Sequence, residues 1–409
     1  MALPYSRLKT KEINHLHKVR LTILWLNTWP AIGGAERAQI SIFREVAKKH
    51  RFLAGLQQNP TEELSSEIES FSSKQFRLPL IRLNQSINPF RLAKIVYHLF
   101  AVATTLRTIL RDEHVDIVHV SNINDVPFAA LATLGTNTKL VWMVENPERF
   151  NSVNVAILNL SKIDGLIGTS NAILSQAINS GVKSTVSRTI QNPYDDTHFF
   201  QEELSQKEVS SNTVRIGFAG VLCDRKGVLE LCEAYLALTI RLHSEGECNL
   251  RTELLLAGNG EPDYISRIHD VSKRLPASHQ IKLLDHIKDP IAMRAFYSSL
   301  DLFVMLSKKE GLSLAMLEAM ATGAPSLILT PWGVDVIQSE VSGINLTSDK
   351  PEVVALELMK LIKAPALRKK IGNEGARFVR QNNTPSVIAE EVVTFYNRVL
   401  YPTKATVSA

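Results

Sequence analysis

The sequence predicts an α/β protein built from two doubly wound domains, each with its own parallel sheet. Short apolar segments alternate with longer ones whose apolar residues recur at helical spacing. This alternation pauses at the polar, turn-rich residues 201–212 and then restarts. The apolar segments are nearly continuous, which is typical of strands in a parallel sheet covered on both faces by helices.

Length and composition agree with this fold class. A chain of 409 residues suits two or three domains. We assign residues 1–200 to a first domain and residues 213–385 to a second. A C-terminal helix, 386–401, is expected to cross back to the first domain. No apolar run approaches the roughly 18 residues of a membrane span, and the N-terminus has no signal-peptide core.

Cysteine usage and charge limit the partners. Three cysteines, an odd number without metal-ligand spacing, favour a reducing cytoplasm. The net charge is +5, and residues 1–200 hold 22 Lys and Arg against 16 Asp and Glu. A solvated face explains such an excess most simply, and no nucleic-acid motif accompanies it. We expect no nucleic-acid partner, and we keep peripheral contact with the inner membrane face as an expectation.

The elements of the first half follow from apolar spacing. Strands are predicted at residues 19–26, 53–56, 76–83, 116–120, 140–144, 165–167 and 187–190. Helices are predicted from the 29–37 turn to about 49, and at 89–111, 126–134, 153–160 and 171–179. The helix at 89–111 carries basic residues that would suit a membrane surface, but one core-packed face explains its pattern better.

The second half repeats the alternation. Strands are predicted at residues 215–219, 253–257, 281–284, 302–305, 326–329 and 343–346. Helices are predicted at 228–243, 264–275, 290–299, 314–321, 351–363 and 386–400. Two parallel sheets of similar size follow from this order.

The segment 307–325 is the one around which the function is organised. It reads as a glycine turn at Gly311 and a helix over 314–321 that stops at Gly323-Ala324-Pro325. The free amides at such a helix start bind anions. We therefore expect a diphosphate at Gly311, Leu312, Ser313 and Leu314. Two carboxylates, Glu310 and Glu318, frame this site, and their spacing would cover roughly 12 Å if it were helical throughout.

Five motifs, read together, resemble one family. They are Gly33-Gly34-Ala35-Glu36-Arg37; Asn192-Pro193-Tyr194-Asp195 with Phe199; Phe218-Ala219-Gly220 followed by Arg225-Lys226-Gly227; Ala257-Gly258-Asn259-Gly260; and the Glu310/Glu318 pair. Their order resembles glycosyltransferase family 4, whose members have the GT-B fold of two Rossmann-like domains facing across a cleft. The resemblance covers most of residues 20–400 and is weakest over 57–112.

The resemblance implies a reaction and a set of roles, in which the first domain (1–200) binds the acceptor and the second domain (213–385) binds the nucleotide sugar. The reaction is a retaining, metal-independent transfer from a nucleotide diphosphate sugar, without a cofactor, to a hydroxyl of a glycan or lipid-linked glycan. By this resemblance, the diphosphate is bound by Arg225, Lys226, Gly220 and Gly33-Gly34. Glu318 binds the ribose and Glu310 the transferred sugar, while Asp285-His286-Ile287 border the base. The sequence has no Asp-x-Asp metal motif, so cationic side chains and helix amides would stabilise the leaving group.

The chain departs from the family pattern at three places. Val221 stands where the family usually has an arginine, so that Arg225 would have to replace it. Glu145 stands near the usual histidine, where a carboxylate could bind sugar hydroxyls or stabilise positive charge at the anomeric carbon. Trp332-Gly333 occupies the position of the family's later Gly-Gly pair. The candidate catalytic residues are therefore Glu310, Glu145, Lys226 and Arg225.

Other protein classes fit less well. A glycoside hydrolase needs two carboxyl groups about 5 or 6.5–9.5 Å apart, and a dehydrogenase needs Gly-x-Gly-x-x-Gly after its first strand. A nucleotide-sugar 2-epimerase shares the two-domain fold. A non-catalytic GT-B binding module is kept open by Val221 and Glu145.

Overall fold

The computed structural model describes residues 20–80, 89–148, 150, 152–201, 213–247, 250–329 and 335–402, without the side chains of 89–96 and 152–154. It contains two parallel α/β domains, so the predicted fold class is confirmed. The predictions for residues 81–83, the linker 202–212, Cys248 and Trp332-Gly333 lie outside the described residues.

The first sheet has seven parallel strands. They are β1 (Thr22–Asn27), β2 (Arg51–Gln57), β3 (Lys74–Leu78), β4 (Ile117–Val120), β5 (Lys139–Val144), β6 (Ile163–Gly168) and β7 (Ser184–Thr189). Their order is β3-β2-β1-β4-β5-β6-β7. Side chains alternate across the sheet, because successive strand residues point to opposite faces. Trp25 of β1 joins one core and Leu24 the other.

Helices cover both faces of this sheet. They are α1 (Gly34–Ala47), α2 (Glu62–Glu69), α3 (Pro89–Asp112), α4 (Val126–Thr133), α5 (Ser152–Leu160) and α6 (Asn171–Asn179). Phe43 of α1 packs with Trp25 and Phe52 on one side. Leu106 of α3 and Phe128 of α4 are buried in the core on the other side. None of the helices in the described part of the chain is both long and apolar enough to cross a bilayer.

The second sheet has six parallel strands in the order β10-β9-β8-β11-β12-β13. The strands are β8 (Thr213–Ala219), β9 (Arg251–Ala257), β10 (His279–Leu284), β11 (Leu302–Met305), β12 (Ser326–Leu329) and β13 (Ile344–Leu346). The helices are α7 (Val228–Ser244), α8 (Pro262–Ser272), α9 (Pro290–Ser299), α10 (Leu314–Ala321), α11 (Pro351–Ile362) and α12 (Pro365–Asn382). Neither α2 nor α12 was predicted from the sequence.

The last helix, α13 (Pro385–Leu400), packs on the first sheet. Phe395 lies over Gly165 of β6, where an added Cβ would be 2.7 Å from its ring. The Tyr396 hydroxyl is 2.8 Å from His119 Nδ1 in β4. Burial lowers the pKa of His119 to about 3, so this histidine is a neutral core residue. The C-terminal helix therefore completes the layer that begins with α1.

Both sheets change winding direction at one pair of strands. In the first sheet this point lies between β1 and β4, and in the second between β8 and β11. Open α/β sheets bind ligands beyond the carboxyl ends of such strands. The glycine loops after β1, β8 and β11 lie at these positions.

Candidate active site

The floor of the second domain's crevice is built by two glycine loops that touch. Gly220 follows β8 with φ 141°, and Gly258 follows β9 with φ 146°, values that favour glycine. An added Cβ at Gly258 would be 1.9 Å from the Gly220 carbonyl oxygen. Leu222 N donates to Asn259 O at 2.8 Å and fixes the two loops together. The glycine at position 258 therefore lets these two backbones come into direct contact.

Two predicted cationic residues meet the first predicted carboxylate at this edge. A short 3-10 turn, Asp224–Lys226, presents Lys226 to Glu310, and the two side chains form an ion pair. Both side chains are largely buried, with 14% and 10% exposed. Arg225 Nη1 donates to Lys309 O at 3.0 Å and lies 3.8 Å from Glu310 Oε2. Positive charge is thus concentrated where β8 and β11 end.

The helix start predicted to bind an anion lies next to this ion pair. Ser313 is the N-cap of α10 and its side chain makes no capping hydrogen bond. The first amides of a helix have no partner within it, so they are available to a ligand. The side chain of Leu312 is buried in the core, so only its backbone can serve a ligand. The helix begins four residues after Glu310, and the estimate of roughly 12 Å between the carboxylates, which assumed a continuous helix, does not apply.

Glu318 lies one turn into α10 and faces the first domain. The Tyr297 hydroxyl donates to its Oε2 at 3.1 Å. Burial raises the pKa of Glu318 to about 7, and the charge of Asp195 adds to this rise. The hydrogen bond from Tyr297 and the charge of the Arg37 guanidinium lower the pKa in part. Arg37 and Asp195 belong to the motifs of the first half, so these motifs do meet α10. The sequence carried no signal for Tyr297.

The first domain contributes the start of α1. Gly33 is its N-cap, and Gly33 N donates to Glu36 Oε2 at 3.0 Å. A Cβ added at Gly34 would meet no atom of the described residues within 4 Å. Open space at a helix N-terminus gives room for an anionic group.

Glu145 directly follows β5 and is buried, with 6% of its surface exposed. Gln39 of α1 donates its amide to Glu145 Oε1. Burial raises the pKa of Glu145 to about 7, Gln39 and Asn192 oppose the rise, and the Glu36 carboxylate adds to it. A Cβ at Gly311 would be 1.9 Å from the Glu145 carbonyl oxygen. Glu145 therefore lies beside the loop that carries Glu310.

Asn192 links the domains at the same point, because its Nδ2 donates to Leu312 O at 3.1 Å. Neither the Asn192 side chain nor Gln39 had been given a role from the sequence. The sequence carried one signal for Gln39, namely a polar residue on the buried face of an amphipathic helix.

The predicted base-binding loop follows β10 at the sheet edge. Asp285 and His286 are exposed and Ile287 is half-buried. His286 N donates to Asn259 Oδ1 at 3.2 Å, which joins this loop to the floor. Val221, the first departure from the family pattern, is 59% exposed.

Taken together, these features define a class. Two Rossmann-like domains enclose a crevice whose floor has bare backbone, a cationic turn and a helix N-terminus, which is the arrangement of a GT-B protein with an anion-binding site. Comparisons with known proteins agree. Residues 213–364 match the family model "Glycosyl transferases group 1".

Two curated relatives show the extent of the sequence similarity. The capsular polysaccharide biosynthesis glycosyltransferase CapM of Staphylococcus aureus is 26% identical over 207 residues, 49% of this chain and 50% of CapM. The chain thus spans about half the length of that relative. The N-acetyl-alpha-D-glucosaminyl L-malate synthase of Bacillus anthracis is 22% identical over 334 residues, 77% of this chain and 83% of that protein.

A solved structure matches the fold. Anabaena HepE, crystallised with UDP and glucose, superimposes with a TM-score of 0.71 at 19% identity, covering 92% of this chain and 99% of HepE. The chain has the fold of the GT-B proteins, and its residues 213–364 match the glycosyl transferases group 1 domain. The family resemblance of its motifs is confirmed.

Proposed function

We propose that this protein transfers a sugar from a nucleoside diphosphate sugar to a hydroxyl group, with retention of configuration and without a metal ion. The observation that carries the proposal is the Lys226–Glu310 ion pair beside the uncapped start of α10. From the other domain, the charge of the Arg37 guanidinium acts on Glu318 of the same helix, and a Cβ at Gly34 would enter open space.

The leaving group sets the electrostatic demand. When the bond between the anomeric carbon and the phosphate oxygen breaks, negative charge develops on the diphosphate. Lys226, Arg225 and the first amides of α10 stabilise this charge. These groups supply the positive charge that other transferases take from a divalent ion, which is why we propose metal independence.

The bonds and protons balance without a protein base. The acceptor oxygen forms a bond to the anomeric carbon on the face that the diphosphate leaves. The acceptor's proton passes to the departing phosphate oxygen, as the family resemblance implies. Glu310 directly precedes Gly311, and the backbone of Glu145 approaches this glycine from the first domain. In the proposal the two glutamates hold the transferred sugar and stabilise positive charge on its ring.

The nucleoside takes the rest of the crevice. Glu318 accepts the ribose hydroxyls, with Tyr297 holding its carboxyl group in place. Asp285, His286 and Ile287 border the base. We take the nucleotide to be uridine diphosphate for the first experiments, because HepE was crystallised with UDP.

The acceptor is proposed to be a glycan or lipid-linked glycan of polysaccharide biosynthesis, the process in CapM's name. Tyr97 and Phe100 of α3 are exposed, 77% and 54%, one turn apart on a helix that also exposes Arg107 and Arg111. Exposed aromatic and basic side chains on one helix suit a membrane surface. Peripheral contact with the inner membrane face, in the cytoplasm, is therefore part of the proposal.

The test is a thermal-shift screen of UDP, GDP, ADP and CMP at millimolar concentration, with and without EDTA, followed by a turnover assay with the matching sugar donors. Stabilisation by one nucleotide that EDTA leaves unchanged, together with acceptor-dependent release of that nucleotide, supports the proposal. Stabilisation by none of them overturns it. Isomerisation of the donor without acceptor would indicate a 2-epimerase, and binding without turnover a non-catalytic module.

A further inference from the structure

The chain crosses between the two domains twice, and one buried asparagine joins the two crossings. The first crossing lies between Ile190, in a core of the first domain, and Tyr194, in the core of the second. The second crossing is at Asn383, between α12 and α13. Asn383 Nδ2 donates to Gln191 Oε1 at 2.9 Å and to Asn192 O at 3.1 Å, and Tyr194 N donates to Asn383 O at 3.0 Å. Asn383 is fully buried, so bulk water does not compete for these bonds.

The orientation of these amides follows from the backbone groups that they contact. A carbonyl oxygen only accepts hydrogen bonds, so the nitrogen of Asn383, and not its oxygen, must face Asn192 O. Gln191 then presents its oxygen to Asn383, and its Nε2 donates to Asp335 O at 3.0 Å. Asn192 Nδ2 donates to Leu312 O at 3.1 Å. Two branches of hydrogen bonds therefore run from one asparagine to two loops of the second domain.

The Asn192 branch ends at the turn that begins α10. A trans peptide bond is planar, so the carbonyl of Leu312 and the amide N–H of Ser313 point in opposite directions. When Asn192 holds the Leu312 carbonyl from the first domain, it also sets the direction of the Ser313 N–H. That amide lies at the helix start proposed to bind the diphosphate.

We infer that Asn383 is a positioning residue of the donor site: it holds Asn192 in the place from which the Asn192 side chain orients the Leu312–Ser313 peptide. The inference rests on the proposed function, because the diphosphate is the ligand proposed for that peptide. Asn383 acts through Asn192. Without the Asn383 side chain, the Asn192 carbonyl loses a buried donor, and its amide is no longer fixed beside Leu312.

The experiment measures the affinity for UDP by isothermal titration and kcat/KM with the sugar donor, well below the melting temperature of every variant. If the nucleotide screen selects another nucleoside diphosphate, that nucleotide replaces UDP. Asn383→Ala is expected to weaken UDP at least about 5-fold and to lower kcat/KM at least about 10-fold.

The matched control is Asn382→Ala. Asn382 is the neighbouring asparagine, is exposed, and donates its Nδ2 to Phe378 O within α12 at 2.8 Å. This variant loses the same side chain without touching the crossing, so it should keep both values within about 2-fold of the wild type.

A double-mutant cycle tests whether Asn383 acts through Asn192. Asn192→Ala removes the hydrogen bond to Leu312 directly, so it should weaken UDP at least as much as Asn383→Ala does. The variant with both substitutions should then be within about 2-fold of Asn192→Ala alone. Independent effects would multiply, to about 25-fold or more, and would overturn the inference.

Failure of this inference is distinguishable from failure of the proposed function. If the wild type binds no nucleotide, the proposed function is wrong. If the wild type binds UDP and folded Asn383→Ala binds it equally tightly, Asn383 is only structural and the inference is wrong, whatever the change in melting temperature. If Asn383→Ala does not fold, as circular dichroism would show, Asn192→Ala carries the test, and an unchanged UDP affinity in that variant overturns the inference.

Discussion

Asp335 of the second domain accepts two hydrogen bonds from Asn171 of the first, one from its backbone amide and one from its side chain, both at 2.6 Å. Asn171 begins α6, so the carboxylate also lies at a helix N-terminus, which favours negative charge. Gln191 Nε2 donates to the Asp335 carbonyl oxygen at 3.0 Å. These three bonds fasten the loop before β13 to the first domain on one side of the crevice.

Breaking this contact should favour an open crevice. Asp335→Ala removes two charge-assisted hydrogen bonds that are exposed to water, so the expected cost of closure is about 1 kcal/mol. We expect the donor KM to rise about 3- to 10-fold with a smaller change in kcat. Small-angle scattering should show a larger radius of gyration with UDP present. Asp263→Ala, at an exposed aspartate of α8, is the control. Equal effects in both variants would show that the Asp335–Asn171 contact does not hold the crevice closed.

The Lys226–Glu310 ion pair gives the second prediction. Lys226→Ala leaves a nearly buried carboxylate without its cation and removes a phosphate partner, so the affinity for UDP and the turnover should both fall, the latter about 100-fold or more. Glu310→Gln keeps the shape of the side chain at position 310 and leaves the cation Lys226 in place. It should retain UDP binding and lose turnover. The measurements are titration with UDP and kcat/KM.

Lys273→Ala, at the exposed lysine that follows the last residue of α8, is the control for the charge change. Turnover near that of the wild type in both site variants would mean that the site lies elsewhere. A loss of fold, seen by circular dichroism, would assign the pair a structural role instead.

The fold could be predicted because short apolar strands alternate with segments of helical apolar spacing, an order that specifies a parallel sheet and its helices. Two helices were missed for physical reasons. Helix α2 is short and buries only Leu64 and Ile68, so its periodicity is weak. Helix α12 contains Gly372, which reads as a break in a helix. In the fold this glycine allows close packing, since an added Cβ would be 2.2 Å from the Gly323 carbonyl oxygen.

The site residues also divide into those that the sequence revealed and those that it did not. Glu310, Lys226 and Glu318 belong to motifs with recognisable spacing, and the structure brings Glu310 and Lys226 into contact. Tyr297 and Gln39 could not be found by spacing. Each meets its glutamate only through tertiary packing, at separations of 21 and 106 residues. A residue that acts through a partner so far along the chain leaves no local pattern.

Stability should depend on pH through Glu145. Its pKa in the folded state is raised from 4.5 to about 7 by burial, with Glu36, Gln39 and Asn192 facing it. A raised carboxyl pKa means that the native state binds the proton more tightly than the unfolded chain. The resulting stability is fully present below pH 4.5 and is lost as the pH rises to about 7, by up to about 3 kcal/mol.

Urea unfolding at pH 5 and pH 8 measures this effect. Glu145→Gln is uncharged at both pH values, so its loss of stability between them should be smaller than in the wild type. The control is Glu63→Gln, at an exposed residue of α2, which should keep the wild-type difference. An identical pH dependence in wild type and Glu145→Gln would show that Glu145 ionises as an exposed glutamate does.

Two glycine-to-alanine substitutions separate a ligand contact from a packing contact. A Cβ at Gly34 enters open space, whereas one at Gly311 would be 1.9 Å from a backbone oxygen of Glu145. Gly34→Ala should therefore keep its melting temperature within about 2 °C of wild type while the donor KM rises, because the methyl group occupies the space proposed for the diphosphate. Gly311→Ala should lose turnover and melt several degrees lower, because the domains or the Glu310 loop must move apart. Melting curves and donor titrations on both variants distinguish the two cases, and an unchanged KM in Gly34→Ala would show that the diphosphate does not approach α1.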